Sequence, residues 1–491
     1  METVQVLLFI LVFITMVLAM FFRKIPALIA LPIMAFLIPL IGGVPIDDII
    51  QYVIGHGAIK LHRAYTVAIF GSMLSVLLQK TGVAENFIKI GAELAGDNPW
   101  GIAALMLIMI ALLFTTLGGL GAVIMVGTII LPIMSSIGIG PLTTVGVFLF
   151  GFSIGGILNV GNWAVYVDIL GMSVEQIRPF ALIMFGIAIL VAFTYITIQL
   201  YRDGHQIDFK KIVFRAILII VIVALLALII NLLNPGLRSQ LDNLLSKIGA
   251  VIKYLIGAGI VFLFLITLYK KLFASQNSEK SIYWTAYFTP ILPLLLILLF
   301  DMRFISAFVC GLLFGFLTTY KKGRLNMFIQ SIFKGGGVVM PAVVMFFGIG
   351  MLLNAIMGPG GEWAAAHPEG WPVLNLLRPA FKQIIPQSGW QYVLIFGLAA
   401  PLALYRGPLN IWGMGYGIAA VLMASGLSSG AVMGMLITVG QIQGISDPTN
   451  THNVWLANEM DQNVQKILKN TLPYSWGLAV IGLIFSAFWF M

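Results

Sequence analysis

Apolar residues in this 491-residue chain are gathered into long runs that short polar connections separate. A helix needs about 20 mostly apolar residues to cross a bilayer, and most of these runs approach that length. The pattern therefore predicts an all-α polytopic membrane protein. The runs fall at residues 5–21, 25–42, 65–80, 100–117, 142–158, 179–200, 212–234, 250–269, 283–300, 303–319, 336–357, 390–405, 429–445 and 473–490.

One of these runs passes directly into a polar stretch at 446–453, with the sequence SDPTNTHN. A continuous helix cannot pass through it, because Pro448 lacks a backbone donor and the other polar side chains compete for backbone hydrogen bonds. Irregular backbone at membrane depth is tolerated only where it is buried or lines a watery cavity. The stretch is therefore a candidate binding site at a broken helix. The alternative is an exposed loop that follows a span.

A second break, NVGNW at 159–163, follows an apolar run in the first half of the chain. Residues 118–186 can be aligned with 407–477 at a shift near 290, which brings the two breaks to matching places. Glycine-bearing apolar stretches at 117–135 and 406–427 precede them, and each is predicted to be a re-entrant hairpin. The sequence thus predicts two related repeats, each with a re-entrant hairpin and a discontinuous transmembrane helix.

The repeat divides the chain into three parts. Residues 1–211 form the first transmembrane repeat, 212–282 form linker spans, and 283–491 form the second transmembrane repeat. Corresponding spans lie eight apart in this count, whereas an inverted repeat requires an odd separation. Either one span is miscounted or the repeat is not inverted, and we favour a miscount.

Composition excludes several classes of protein. With 60% hydrophobic residues, 9% charged residues and a mean hydropathy of +1.04, the chain cannot form a soluble domain. Its single cysteine, Cys310, excludes an intramolecular disulfide and a cysteine metal cluster. The net charge of +9 is spread over short connections. This distribution fits loops beside anionic lipid better than a nucleic-acid-binding surface. No phosphate-binding loop or nucleophile motif is present, so we predict no enzyme activity and no cofactor.

Several short stretches resemble the ion transporter superfamily of organic-anion carriers, and most of all the gluconate permease (gluconate:proton symporter) family. They are 25–31 (IPALIAL), 42–48 (GGVPIDD), 80–85 (KTGVAE) and the SDP break, with Trp455 a few residues on. The resemblance implies inverted repeats with re-entrant hairpins, and dimers with a scaffold and a transport domain. It also implies transport of sugar acids, citrate, dicarboxylates or lactate, driven by protons or sodium. The chain departs from the family pattern in its extra spans and in the composition of its first break.

Three ionisable residues are candidates for coupling to an ion. Asp447 is the only carboxylate in the second break, and a charge at membrane depth is energetically expensive, so a functional role is the default hypothesis. It is predicted to bind Na⁺ or to take up a proton, and the alternative is a helix-capping role. His452 is the one histidine near the break and is a candidate proton relay, and Asp168 is the next acid to consider. Hard cations prefer oxygen ligands, so the predicted Na⁺ ligands are Asn159, Ser446, Asp447 and Asn450.

Arg406 precedes the second glycine-bearing stretch, where its guanidinium can clamp a carboxylate through two hydrogen bonds. The alternative is a cytoplasmic anchor of the positive-inside kind. Glycine turns at helix starts present free backbone donors to anions. The residues predicted to bind substrate are Thr116, Gly118, Gly119, Gly121, Asn159, Asn162, Arg406, Gly407, Asn410, Ser446, Thr449, Asn450, Thr451 and Asn453.

These observations predict a secondary active transporter, a symporter of a small organic anion coupled to H⁺ or Na⁺. The predicted partners are that anion, the lipid bilayer and a second copy of the chain in a homodimer. We expect a multi-pass protein of the inner (plasma) membrane. The rival is a cation/proton antiporter of the same architecture, and the scarcity of carboxylates in the spans argues against it.

Overall fold

Every regular element in the described part of the computed structural model is a helix, which confirms the predicted all-α polytopic fold. The predicted span 212–234 and the boundary at residue 211 lie outside the described residues. The described residues are 2–22, 24–207, 235–273, 283–321, 323–381, 385–411 and 415–491.

Several helices in the first part of the chain begin at a polar N-cap residue. Asn98 Oδ1 accepts from the backbone N–H of Trp100 and Gly101 at the start of α7, and Ser173 and Gln176 form a reciprocal cap at the start of α11. A π-helical turn joins α3 to α4. The helices are α1 (Glu2–Phe21), α2 (Ala27–Ile41), α3 (Ile46–Asp48), α4 (His56–Lys60), α5 (His62–Thr81), α6 (Val83–Ala95), α7 (Pro99–Phe114), α8 (Gly119–Ser136), α9 (Pro141–Ile157), α10 (Val160–Leu170) and α11 (Val174–Arg202).

The second part opens with a long helix in the predicted linker region and continues with ten further helices among the described residues. Ser428 caps α20 and Asn463 caps α22 through side-chain oxygens. A 3₁₀ turn, Ala400–Arg406, follows α18. The helices are α12 (Pro235–Phe273), α13 (Leu292–Phe300), α14 (Phe304–Thr319), α15 (Leu325–Met357), α16 (Gly361–Ala366), α17 (Pro372–Phe381), α18 (Gly389–Ala399), α19 (Tyr416–Ala424), α20 (Ser429–Ser446), α21 (Thr451–Glu459) and α22 (Val464–Phe490).

By length and composition, seven helical segments among the described residues can cross a membrane, or eight if α9 and α10 are one bent span. The run predicted at 65–80 is the end of a longer segment, Ile46–Thr81. Polar residues such as Lys60 interrupt its apolar pattern, so the sequence pattern alone underestimates the length of this helical segment. The seven segments are Glu2–Met20, Ile46–Thr81, Gly119–Ser136, Val174–Arg202, Ser246–Lys270, Leu325–Ala366 and Val464–Phe490.

Helix α15 packs closely against α5 and against α4, which precedes α5 in the same segment, and it runs antiparallel to both. A Cβ atom at Gly57 would lie 2.6 Å from Met351 Cα, and one at Gly335 would lie 2.5 Å from Met73 Cα. The two helices therefore run in opposite directions with their backbones almost in contact. Small residues permit this close approach. Lipid tails are as apolar as the helix surfaces, so van der Waals packing, and not the hydrophobic effect, stabilises the contact. Helix α2 packs on α15 at Gly348 through its side chains, and a Cβ atom there would lie 3.0 Å from Leu31 Cβ.

A second group of helices packs around α9 and α20. Gly151 and Gly155 of α9 lie against Ile110 and Phe114 of α7, so α7 and α9 run parallel. Helices α20 and α22 run antiparallel: Ser446 bonds to the hydroxyl of Thr471 at one end of the pair, and Ser428 Oγ bonds to the carbonyl of Phe490 at the other.

The helices of this group begin at matched positions in the two parts of the chain. Pro99 and Gly389 lie 290 residues apart (389 − 99), and Pro141 and Ser429 lie 288 apart (429 − 141), each pair at helix starts. These offsets are close to the predicted shift. The division into two repeats stays a prediction, and the matched starts are what supports it.

The chain reverses at a different place from the one predicted in the first glycine-bearing stretch. Residues 119–136 form one continuous helix, α8, so the reversal lies at 115–118, at the very start of the predicted stretch 117–135 and not in its interior. Gly127 lies inside this helix without ending it. Its role is to make room for the ring of Trp455, which packs there and leaves no space for a side chain. In the second stretch, 407–410 form the turn and α19 follows.

We expect Gly335→Ala to lower the midpoint of thermal unfolding in detergent, since its Cβ would meet the backbone of Met73. Overpacking of this kind costs about 1–3 kcal/mol. Gly337→Ala, two residues away on the same helix with no atom within 4 Å of its Cβ, is the matched control. It should leave the midpoint unchanged or raise it, because alanine favours the helix. Equal midpoints for the two variants would contradict the close packing of α5 and α15.

Candidate functional site

The first break separates α9 from α10, whose axes differ in direction by 46°. Asn159 lies at its centre and uses both ends of its amide. Its Nδ2 donates to the carbonyls of Phe114 at 2.8 Å and Leu117 at 3.2 Å, and its Oδ1 accepts from Gly161 N at 2.9 Å. One side chain therefore caps α10 and fastens the break to the turn between α7 and α8.

The carbonyl groups left open at the end of α9 are bonded by side chains from the first turn of α10, because the helix already resumes at Val160 within the predicted break 159–163. Asn162 Nδ2 donates to Gly156 O and Trp163 Nε1 donates to Ile157 O, both at 2.8 Å. A helix end has four carbonyls without intrahelical partners, and water cannot serve them in a dry environment. Asn162 and Trp163 supply part of what is missing.

The second break, between α20 and α21, is closed by the same kind of contact. Asn450 Nδ2 donates to Gln443 O at 2.6 Å, and Asn453 Nδ2 donates to Ile445 O at 3.1 Å. His452 Nε2 lies 3.3 Å from Gly444 O. The polar residues that the sequence marked as a binding motif thus also complete the end of α20.

Asp447 fastens the second break to the turn after α18. Its side chain is fully buried, and Oδ1 accepts from Tyr405 N at 3.0 Å, Thr449 N at 2.9 Å and Thr449 Oγ1 at 2.7 Å. Oδ2 accepts from Asn410 Nδ2 at 3.1 Å. A carboxylate has about four acceptor positions, so these four bonds satisfy the buried charge without a cationic side chain.

The turn that Asp447 holds has a strained backbone. Tyr405 and Arg406 have φ values of 54° and 57°, in the left-handed region that costs energy for residues other than glycine. Gly407 follows with no space for a side chain beside the carbonyl of Leu402. The bond from Tyr405 N to Asp447 stabilises this conformation, which leaves Arg406 exposed.

The two breaks lie near each other because α9 and α20 cross. Ser153 Oγ of α9 donates to Gln441 Oε1 of α20 at 2.9 Å, and the rings of Phe152 and His452 have centroids 4.4 Å apart. Asn159 is six residues beyond Ser153, which is about 9 Å along the helix axis. The sequence marked neither Ser153 nor Gln441, although a glutamine inside an apolar run was a usable signal.

The remaining predicted residues are distributed around these two turns. Thr116 is buried and donates to Pro290 O at 2.6 Å, while Thr451 is exposed at the start of α21. Ser446 Oγ bonds to the hydroxyls of Thr471 and Ser475 on α22. A Na⁺ site shared by Asn159, Ser446, Asp447 and Asn450 stays a prediction. Three glycines of the α7–α8 turn have open space where a side chain would be, namely Gly118, Gly119 and Gly121.

Asp168 lies at the other end of α10, about 13 Å from Asn159 by helical rise. Its Oδ2 accepts from Ala64 N at 3.2 Å, in the first turn of α5, and Arg63 Nε is 3.8 Å from Oδ1. It thus caps the positive end of α5 from a neighbouring helix. It also borders a cavity of about 570 Å³ that contains Lys60, which the sequence had not marked.

We expect Asp447→Asn to lower the unfolding midpoint in detergent, because its new Nδ2 would face another donor on Tyr405 or Asn410. Leaving one buried group unpaired costs about 1–3 kcal/mol. Asp461→Asn is the matched control, since Asp461 is an exposed acid just after α21 and loses the same charge. If both variants melt with the wild type, Asp447 does not anchor the turn.

The comparisons with known proteins give a likeness to solved structures only, and it is distant. No model of a protein family matches the sequence, and no curated protein matches it. Among solved structures the chain is similar to the YdaH transporter of Alcanivorax borkumensis, which is described as having an unusual topology. The identity is 14% and the TM-score 0.48, over 90% of this chain and 88% of that chain. This likeness is too distant to carry a function across, and the comparisons give no support for the gluconate permease family in particular.

Proposed function

We propose that this polytopic membrane protein is a secondary active transporter, a symporter of a small organic anion driven by Na⁺ or H⁺. The observation that carries the proposal is the pair of helix breaks on α9–α10 and α20–α21. Each is fastened to a turn of its own part of the chain, and the crossing of α9 and α20 holds them close together. Broken helices that meet within the membrane are how such transporters form sites for polar substrates.

Two helix starts near the breaks can attract a carboxylate. Helix α8 begins after Gly118 and α21 begins after Asn450, and neither start has a side-chain cap. Their first N–H groups carry the positive end of the helix dipole, which favours anions. Trp455 of α21 packs on α8 at Gly127, so the two helices are neighbours.

Arg406 is the cation best placed to select for an anion. It is exposed and held on a strained turn by its neighbour's bond to Asp447, and no ion pair involves it in the part of the chain that the structure describes. Strained backbone tends to occur where a side chain must be held in one direction. An arginine held in this way can form two hydrogen bonds to a carboxylate.

Asn453 supports sodium as the coupling ion. Its Nδ2 bonds to Ile445 O, but its Oδ1 is buried and has no hydrogen-bond donor among the described residues. A buried acceptor without a partner is costly, and a small hard cation is one way to satisfy it. Asp447 is less suited to this role, because its oxygens already accept four hydrogen bonds. Its predicted part in coupling stays a prediction.

The burial and hydrogen bonding of Asp447 weigh against a cation/proton antiporter. Antiport of this kind needs an acid that water can reach and that alternates between a proton and a cation. Asp447 is fully buried and engaged on both oxygens. We also propose the inner membrane as the location, and a homodimer as the assembly, which follows from the resemblance described above.

The decisive experiment uses purified full-length protein in proteoliposomes. Uptake of labelled gluconate, citrate, succinate and lactate is measured with an inward Na⁺ gradient, with an inward H⁺ gradient, and with neither. The proposal expects accumulation of at least one acid under one gradient. Na⁺-driven alkalinisation or acidification without any organic acid would identify the antiporter instead.

Arg406→Ala should weaken the apparent affinity for the transported acid about ten- to hundred-fold, since a charged hydrogen bond contributes about 1.5–3 kcal/mol. Arg406→Lys keeps the charge but cannot form the paired hydrogen bonds, so its apparent affinity should lie between those of the wild type and the alanine variant. Arg202→Ala, which removes another exposed arginine, is the control. An alanine variant with unchanged affinity would assign Arg406 to membrane anchoring.

Asn453→Ala should raise the Na⁺ concentration for half-maximal uptake about tenfold, because it removes the unpartnered oxygen. Asn458→Ala, on the exposed side of the same helix, should leave it unchanged. The comparison is made at saturating organic acid, so that a substrate effect does not enter. Equal sodium curves for the two variants would remove Asn453 from the coupling site.

A further inference from the structure

The cavity of about 570 Å³ lies away from both helix breaks, between the paired helices α5 and α15 and the group around α9 and α20. Its size is in the range that holds small ligands. The wall comes from the junction of α4 and α5, the ends of α10, α15 and α19, and the start of α20. Its polar and apolar side chains include Lys60, Asp168, Met357, Met423, Leu427 and Ser429.

Lys60 brings a positive charge into this cavity, and no acidic side chain of the described residues pairs with it. Its Nζ donates to Asn354 Oδ1 at 2.6 Å, and Asn354 is held in turn by a bond from its Nδ2 to Tyr52 O. An ammonium group has three donors, and Asn354 Oδ1 is the one acceptor bonded to Nζ among the described residues. No carboxylate lies within 4.0 Å of it in that part of the chain. A half-buried cation held by a neutral amide favours an anion beside it.

The acid in the same wall does not serve as that counter-ion. Asp168 accepts from Ala64 N and lies near Arg63, so its charge is balanced by the start of α5. Its side chain is only 4% exposed. The start of α20, at Ser429, adds the positive end of a helix dipole to the cavity. The ends of α10, α15 and α19 carry the negative ends of their dipoles, so an anion is favoured on the side of the cavity formed by Lys60 and the start of α20.

The rest of the wall has few groups for a polyhydroxylated ligand. Ser428 Oγ already caps Ala431 N and bonds to Phe490 O, and Ser429 Oγ lies against the sulfur of Met423. Methionine and leucine side chains supply the remaining surface. We infer that this cavity binds a small monocarboxylate with an apolar body, whose carboxylate is held by Lys60. The inference concerns binding alone and stands whether or not the chain transports what it binds.

The test measures equilibrium binding of labelled butyrate to the full-length protein in nanodiscs, with gluconate and butylamine as competitors. Butyrate should bind, and neither gluconate nor butylamine should displace it at equal concentration. Lys60→Met should weaken butyrate binding about ten- to hundred-fold, as expected for loss of a charged hydrogen bond. Lys334→Met, an exposed lysine on α15, is the control and should bind as the wild type does.

Two further variants separate a charge effect from a loss of folding. Asp168→Asn removes negative charge from the wall and should strengthen butyrate binding, which a purely structural role would not produce. Met423→Trp fills the cavity and leaves Lys60 in place, so it should abolish binding even if Lys60→Met does not fold. Butyrate binding that survives Met423→Trp, or displacement by gluconate as effective as by butyrate, would overturn the inference. Neither result bears on uptake through the helix breaks, which the proteoliposome experiment tests separately.

Discussion

The structure depends on one constraint: at membrane depth, every backbone N–H and C=O must find a partner inside the protein. A broken helix violates this locally, because each end leaves up to four groups without intrahelical bonds. Both breaks meet the requirement with short polar side chains that reach back one or two turns, as Asn162 and Asn453 do. The amides at the breaks are therefore needed for folding before any question of a ligand arises, and a functional role must rest on the atoms left over.

That distinction changes how Asp447 and Asn453 are interpreted. Both are buried and both lie at the second break, yet Asp447 has four hydrogen bonds and Asn453 Oδ1 has none in the described residues. The charged residue is the more satisfied of the two. Charge at depth identified the right region in the sequence, but the availability of an atom for a ligand depends on tertiary contacts. The neutral amide is consequently the stronger candidate for a cation.

The sequence was sufficient for the fold class and for the two breaks, since apolar length and the helix-breaking residues around Pro448 are local properties. It placed the first reversal inside α8, because glycines such as Gly127 can mark either a turn or close packing, and only the neighbouring Trp455 decides which. It missed Ser153 and Lys60 for a related reason. Each becomes significant through a residue far along the chain, Gln441 in one case and Asn354 in the other.

Asp168 links the two groups of helices in a way that ties the cavity to the first break. It belongs to α10, which begins at Asn159, and it caps α5, which is packed against α15 through glycine. Any movement of α10 along α5 must break the bond to Ala64 N and expose the start of α5. The same movement would carry one wall of the cavity away from Lys60. An anion that spans this cavity would therefore favour the arrangement in which Asp168 remains on α5, since a ligand shifts an equilibrium only through contacts that differ between its states.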